Sequence, residues 1–234
     1  MANVLGVIPA RAGSKSIPNK NLYPLAGKPL IAYSIESAKR SKFLTKCIVS
    51  TDSEEIARVA KSYGIKVPFL RPKELATDTA LAVDVMKHAL LEMEKIDKKQ
   101  YEYLVMLQPT TPLRKPQYID EAIRKLIDTD CDSVVSMVEV GAHHPARMYR
   151  IENDKLISIM DEGTAMRPRQ ELPSIYIRSG DVYACRRSVI FKHNSLIGDD
   201  CCPLVIAPEK AINIDDMKDI VLAEYYLKNS NESA

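Results

Sequence analysis

Val4-Leu5-Gly6-Val7-Ile8 runs directly into Pro9-Ala10-Arg11-Ala12-Gly13-Ser14-Lys15-Ser16-Ile17-Pro18-Asn19-Lys20-Asn21. The first stretch is apolar without alternation, the pattern of a strand covered on both faces. The second is rich in Gly, Pro and Asn and reads as a turn leaving that strand. Gly13 lets the backbone approach a ligand, and its small neighbours leave amide hydrogens exposed. The planar fork of Arg11 suits two phosphate oxygens, while Lys15 and Lys20 add point charges. A triphosphate carries about four negative charges, so several cations together with a metal match it electrostatically. A solvated basic loop is the alternative reading.

From Met1 to Ile35 the chain has no Asp or Glu, yet Arg11, Lys15, Lys20 and Lys28 fall there. An acid-poor start can mark a transit peptide. The buried strand and the turn argue instead for a positive site built into the fold. Two familiar phosphate loops do not apply. Gly13-Ser14-Lys15-Ser16 lacks the glycines of G-x-x-x-x-G-K-[ST], and G-x-G-x-x-G is absent.

Further along, Lys46–Ser50, Lys66–Leu70, Tyr103–Leu107 and Ser133–Val138 repeat the unalternated apolar pattern, with helical periodicity near 30–40, 53–63, 80–95 and 117–127. Asp52 with Glu55 has capping-box spacing and Gly64 is placed to end that helix. Val83, Met86, Leu90 and Met93 share one helix face, where the methionines read as core. Pro116 suits a first helical turn. Strand–helix alternation predicts a doubly wound, mostly parallel α/β sheet, whose ligands bind beyond the carboxyl ends of the strands.

The rhythm breaks after Val140. Arg147–Ile151 and Lys155–Met160 read as a hairpin, followed by a charged stretch from Asp161 to Pro173, strands near Val182–Cys185 and Leu204–Ala207, and a helix over Asp216–Leu227. The expected organisation is a core of 1–140 and 174–234 with an inserted subregion at 141–173.

Composition sets the bounds. The 234 residues suit one α/β domain with an elaboration. The 33 basic and 31 acidic residues leave a net charge of +2, which gives no global case for nucleic acid or an anionic membrane as partner. No apolar run approaches the roughly 18 residues that span a bilayer. Cys47, Cys131, Cys185, Cys201 and Cys202 lack metal spacing, and with no signal peptide read as reduced thiols of a cytoplasmic protein. His143-His144 offers adjacent side chains that point apart and no third ligand spaced for zinc, so a structural role is expected.

The segment Ile8–Asn21 resembles the signature of the acylneuraminate cytidylyltransferases, the CMP–sialic acid synthetase family. The likeness continues through Ile48-Val49-Ser50-Thr51-Asp52, Leu70-Arg71-Pro72-Lys73-Glu74-Leu75-Ala76-Thr77-Asp78 and Leu107-Gln108-Pro109-Thr110-Thr111-Pro112-Leu113-Arg114. It resumes at His143-His144-Pro145, Arg167–Pro173 and Ile212-Asn213-Ile214-Asp215. The resemblance implies a Rossmann-like nucleotidyltransferase that moves CMP from CTP to the anomeric 2-hydroxyl of an acidic nine-carbon sugar, with magnesium as cofactor and a homodimer as assembly.

It also implies site residues. Ala10, Arg11, Gly13, Ser14, Lys15, Lys20 and Asn21 would hold CTP, helped by Arg71, which read alone could equally be a surface ion-pair partner. Gln108, Arg147, Arg178 and Tyr183 would face the sugar. Gln108 sits just past a buried strand, where a backbone-capping amide is the alternative. A guanidinium suits the sugar's carboxylate, although Arg147 could serve a subunit interface instead. Magnesium would rest on Asp215 and Asn213, and Arg11, Lys15 and Asp215 would carry catalysis.

Two departures from the family pattern bear on the site, the first on the metal and its coordination, the second, at two segments, on the sugar. Family members usually present Asp-x-Asp where this chain has Asn213-Ile214-Asp215; period-two spacing would still aim both side chains one way. Pro203-Leu204-Val205 and Ser179-Gly180-Asp181 stand where sialic-acid-specific members carry aromatics and Asn-Gly-small. Both differences point to a legionaminic- or pseudaminic-type acid. An eight-carbon ulosonic acid as acceptor and a non-catalytic nucleotide-binding regulator are the alternatives; Gln108 argues against the first, because the resembling eight-carbon enzymes carry an acidic residue there.

Overall fold

The computed structural model describes residues 2–160 and 168–229. Arg167, the stretch Asp161–Arg167 of the expected insertion and residues 230–234 of the polar tail lie outside the described residues.

The chain opens with β1 (Val4–Pro9), then a small ladder of β2 (Pro24–Leu25) with β3 (Lys28–Pro29) leading into α1 (Leu30–Arg40). There follow β4 (Lys46–Ser50), α2 (Glu54–Ser62), α3 (Ala82–Asp97), β5 (Tyr103–Met106), α4 (Pro116–Asp128) and β6 (Ser133–Glu139). The second half supplies β7 (Tyr149–Glu152), β8 (Lys155–Ser158), β9 (Tyr176–Arg186), α5 (Arg187–Lys192), β10 (Cys201–Val205) and α6 (Met217–Asn229).

Among the described residues six strands form the main sheet in the order β10-β6-β9-β5-β1-β4. β1 pairs in parallel with β4 and β5, and β10 with β6, while β9 runs antiparallel between β5 and β6. The sheet is therefore mostly parallel, as the sequence predicts, with one reversed strand near its middle. Alternate residues of β1 feed two layers, which is why that strand reads as continuously apolar. Val4 and Ile8 pack with Ile31 and Ile35 of α1 and Ile119 and Ile123 of α4. Leu5 and Val7 pack with Met86, Leu90 and Met93 of α3. The methionines are core, as expected. A third cluster fixes the functional end, where Ile17 of the basic loop is buried with Leu113, Ile212, Ile214 and Ile220 of α6.

Four local expectations are corrected. Residues 66–70 form only two isolated bridges, Ile48 with Lys66 and Thr51 with Leu70, because Pro68 has no amide hydrogen for a ladder. The cap of α2 is Ser53, whose side chain accepts from the Ile56 amide, not Asp52. β9 begins at Tyr176, well before the expected Val182, and the edge strand is Cys201–Val205 instead of Leu204–Ala207. Pro116 does open α4, and Gly64, with φ of +77°, follows α2 where the reading placed it.

The expected hairpin forms as β7 and β8 around Asn153 and Asp154, both in the left-handed region that such a tight turn requires. Its apolar residues are uncovered: Ile151 is 75% and Leu156 68% exposed. A two-stranded unit of this kind is marginal alone.

Candidate active site

The basic loop is held from several sides. The Ala10 amide donates to Ser50 O at 2.9 Å, the Ala12 amide to Asp52 Oδ1 at 3.0 Å, and Asn21 Nδ2 to Arg11 O at 2.9 Å. Asp52 thus braces the loop. Asn21 does the same through its amide. A Cβ added at Gly13 would meet nothing within 4 Å, so the face above Gly13 and its neighbour Ser14 is open. Arg11 and Lys15 reach one carboxylate, Asp78, at 2.6 and 2.7 Å. Hydrogen bonds from Lys15 and then Arg11 hold the Asp78 carboxyl below the usual carboxylate range.

Two residues expected to hold the nucleotide are bonded within the protein. Lys20 Nζ donates to Ile214 O at 2.9 Å and Asp215 O at 3.2 Å, with only 11% of its side chain exposed. Its charge ties the 213–215 segment to the loop. Arg71 is buried, donating to Ser50 Oγ at 3.2 Å, to Ser50 O and to Leu75 O at 3.3 Å. Burial, reinforced by Arg11 and opposed by Asp52, lowers its pKa to about 10. Arg71 acts on the site as a brace of neighbouring backbone, and the reading of it as a surface ion pair fails.

Beyond the carboxyl end of β5 lies a cavity of about 570 Å³. Gln108, Arg178, Tyr183 and Asn213 line it together, although they come from a strand exit, two positions on β9 and the segment before α6. Gly180 makes this close: with φ of +86°, a Cβ there would stand 2.5 Å from Gln108 Oε1. The Gln108 carbonyl accepts from Ser34 Oγ, Thr111 Oγ1 and Arg114, so its backbone caps while its side chain faces the cavity. Burial raises the Tyr183 pKa against the opposing charge of Arg178.

Arg147 is not among the residues lining this cavity; it is exposed at the end of a 3-10 turn, Pro145–Arg147. Pro203-Leu204-Val205 also lies elsewhere, on edge strand β10, whereas Leu196 and Ile197 supply apolar wall to the cavity. His144 is structural, as expected. Its Nδ1 accepts from the Ala146 amide at 3.1 Å, which leaves the proton on Nε2 to be donated to Pro173 O at 3.0 Å.

Asn213 and Asp215 do face one way, with Asn213 Nδ2 donating to Asp215 Oδ2 at 3.3 Å. Asn213 Oδ1 is buried without a hydrogen-bond partner. An orphaned amide oxygen beside a carboxylate is a fitting pair of hard donors for magnesium. Among the described residues no cluster of three or more His, Cys, Asp or Glu is arranged for a metal. Asp216 is a cap of the final helix, accepting from the Lys218 amide at 2.7 Å.

A buried polar group stands behind the cavity. Arg114 donates to Asp181 O at 2.6 Å and Ser34 Oγ at 2.8 Å, and neither carboxylate oxygen of buried Asp181 has a partner. Burial lowers the Arg114 pKa to about 10 and raises that of Asp181, each opposed by the other's charge. Asp78, Asp52, Arg114 and Asp181 were not expected as site residues. Each makes a contact distant in sequence, Asp52 with the Ala12 amide, Asp78 with Arg11 and Lys15, and Arg114 with Asp181 O. The acid-free N-terminal stretch and the family-like segments that contain the first three are the signals that could have found them.

A mostly parallel sheet with a basic loop after β1 and an acceptor-sized cavity beside it defines the class of nucleotidyltransferases. Residues 5–194 match the family model described as cytidylyltransferase, and the chain belongs to that family, in its acylneuraminate cytidylyltransferase-like branch. It is 34% identical over 239 residues to the CMP-N,N'-diacetyllegionaminic acid synthase of Legionella pneumophila, covering 98% of both chains. It is 31% identical over 230 residues to a pseudaminic acid cytidylyltransferase of Campylobacter jejuni, again over 98% of both. The fold is similar to that of CMP:2-keto-3-deoxy-manno-octonic acid synthetase solved with CTP, with a TM-score of 0.71, 18% identity and coverage of 98% of this chain and 100% of that one.

Proposed function

We propose that the protein transfers CMP from CTP to the anomeric 2-hydroxyl of a nonulosonic acid, releasing pyrophosphate. The observation that carries this is the junction of two half-sites: the Arg11/Lys15 loop and the cavity of Gln108, Arg178, Tyr183 and Asn213, joined by Lys20 holding the 214–215 backbone.

Arg11 and Lys15 bind the β- and γ-phosphates and stabilise the charge that grows on them as the bond to the α-phosphorus breaks. Arg178 orients the acceptor through its carboxylate, and Gln108 and Tyr183 fix the ring so that the hydroxyl lies in line with the leaving group. Asp215 and Asn213 Oδ1 would hold magnesium, which when bound neutralises phosphate charge. Leu196 and Ile197 give the cavity an aliphatic wall, and the relatives are named for legionaminic and pseudaminic acids, which supports an acceptor of that type.

The inserted subregion at 141–173, with its β7–β8 hairpin, serves a homodimer in this reading. Exposed Ile151, Leu156 and Ile159, with Tyr176 and Ile177 at the start of β9, form apolar surface that a partner subunit would cover. No described helix is long and apolar enough to cross a membrane, and we place the enzyme in the cytoplasm, where CTP is made.

The test is pyrophosphate release from CTP and magnesium with legionaminic, pseudaminic and sialic acids and the eight-carbon ulosonate offered separately. Turnover with a nine-carbon acid supports the proposal. Turnover with the eight-carbon acid alone, or none with any from protein that binds CTP, overturns it.

A further inference from the structure

Arg11 Nη1 and Lys15 Nζ meet on the two oxygens of one carboxylate, Asp78 Oδ1 at 2.6 Å and Oδ2 at 2.7 Å. This clasp has no evident role in stability. Lys15 is 85% and Asp78 40% exposed, and exposed ion pairs contribute little. Nor is Asp78 part of a packed element. It lies on the loop after the 3-10 turn Lys73–Leu75, whose base is fixed by buried Arg71 through Ser50 and Leu75 O. Beyond that anchor the Ala80 amide donates to Thr77 O at 3.3 Å, so the carboxylate is carried on a tight turn and not on a free tether.

The two cations it holds are those assigned to the triphosphate, and a bidentate carboxylate has the charge sign and oxygen spacing of a phosphate edge. We propose that Asp78 is a positioning residue that stands in for phosphate between turnovers. It keeps Arg11 and Lys15 aimed at the open face of the loop, yields them to the incoming triphosphate, and competes them back from pyrophosphate to speed product release. The inference rests on the reading of Arg11 and Lys15 as triphosphate ligands.

Because Asp78 competes with ligand for the same donors, removing its charge should tighten binding. Two exposed pairs relinquished together correspond to about a twofold to tenfold change in Kd. The effect should shrink as salt screens the clasp.

The experiment measures Kd for CTP and for inorganic pyrophosphate by calorimetry in the wild type, Asp78→Asn and Asp78→Glu, at low and high ionic strength, alongside steady-state turnover. The expected result is tighter binding of both ligands to Asp78→Asn, deeper inhibition by added pyrophosphate, a lower kcat with a lower KM for CTP, and recovery in Asp78→Glu. Unchanged or weaker binding by Asp78→Asn overturns the proposal while leaving the site reading intact. A wild type that binds neither CTP nor pyrophosphate overturns both. Should Asp78→Asn not fold, Asp78→Ser decides in its place, because it removes the same charge: unchanged or weaker pyrophosphate binding by that variant overturns the proposal.

Discussion

Gly180→Ala is a change of one methyl whose cost divides into two readable parts. At φ of +86° the backbone lies where a side chain is strained, which costs about 1–2 kcal/mol. In a domain of this size each kcal/mol moves Tm by roughly 2–4 °C, so a fall of roughly 2–8 °C is expected in a thermal melt. The second part is functional. The new methyl would stand 2.5 Å from Gln108 Oε1 and 3.4 Å from Thr111 Cγ2. The amide is the far end of a flexible side chain, so it moves and the strand stays. If Gln108 makes a hydrogen bond to the acceptor, displacing it loses about 0.5–1.5 kcal/mol, a factor of roughly 2 to 13 in kcat/KM for the sugar. The KM for CTP should not change. A double-mutant cycle with Gln108→Ala in the pyrophosphate assay isolates this term. Gly180→Ala should cost nothing further in the sugar's kcat/KM once Gln108 is truncated. Losses that multiply would refute the reasoning, since the methyl would then act without Gln108.

Lys15→Ala and Asp215→Ala should each lower turnover about a hundredfold or more with an unchanged melt; near-normal activity of either pure variant would remove that residue from the mechanism. Lys20→Met breaks charge-assisted bonds to Ile214 O and Asp215 O and should destabilise by about 2 kcal/mol while raising the magnesium concentration needed for half-maximal rate, a titration that an unaffected 213–215 segment would leave in place. Asp181 is buried with its carboxyl pKa raised by desolvation, so ionising it costs native stability from the ordinary value of 3.8 upward. Asp181→Asn should therefore gain relative to the wild type as pH rises, in melts run from pH 3 to 8; a pH-independent difference would mean the carboxyl titrates alike folded and unfolded. In the proposed homodimer, Leu156→Asp on the hairpin should yield a 26 kDa monomer in sedimentation where the wild type sediments as a dimer; a monomeric wild type would overturn the dimer, and an unchanged assembly would exclude that face as the interface.

Much of the fold is legible because periodicity and burial coincide. β1 reads as buried because alternate residues enter two hydrophobic layers, and α3 reads as a helix because Val83, Met86, Leu90 and Met93 recur on one face. Of the expected site residues, Gln108, Arg178, Tyr183 and Asn213 line one cavity, and Lys20 ties the Ile214 and Asp215 backbone to the basic loop. What escapes the sequence is direction and long-range pairing. β9 is read only from Val182 because Ser179, Gly180 and Asp181 interrupt it; in the structure Ser179 Oγ donates to Ser136 Oγ at 2.9 Å, and Ser136 Oγ accepts from the Val182 amide at 2.8 Å, so a neighbouring strand satisfies Ser179 and the backbone while the Asp181 carboxylate is left unpartnered. The internal bonds of Lys20 and Arg71 escape the sequence for a related reason. A cation's local sequence states its charge but not whether carbonyls elsewhere in the chain already hold it.

The excursion between β6 and β9 leaves and rejoins the sheet on adjacent rungs. Glu139 pairs with Tyr176, the Val140 amide donates to Ile175 O at 3.0 Å, and His144 Nε2 reaches Pro173 O. Its two ends are therefore already closed by the sheet itself. The entropy of closing a loop grows only logarithmically with length, about 0.6 kcal/mol for each doubling. The segment can thus lengthen, shorten or be exchanged with little thermodynamic consequence for the layers beneath, while the strand it feeds carries Arg178, Gly180 and Tyr183 to the cavity. In the proposed reading, acceptor preference and subunit pairing are free to drift at this excursion, and the basic loop after β1 need not drift with them.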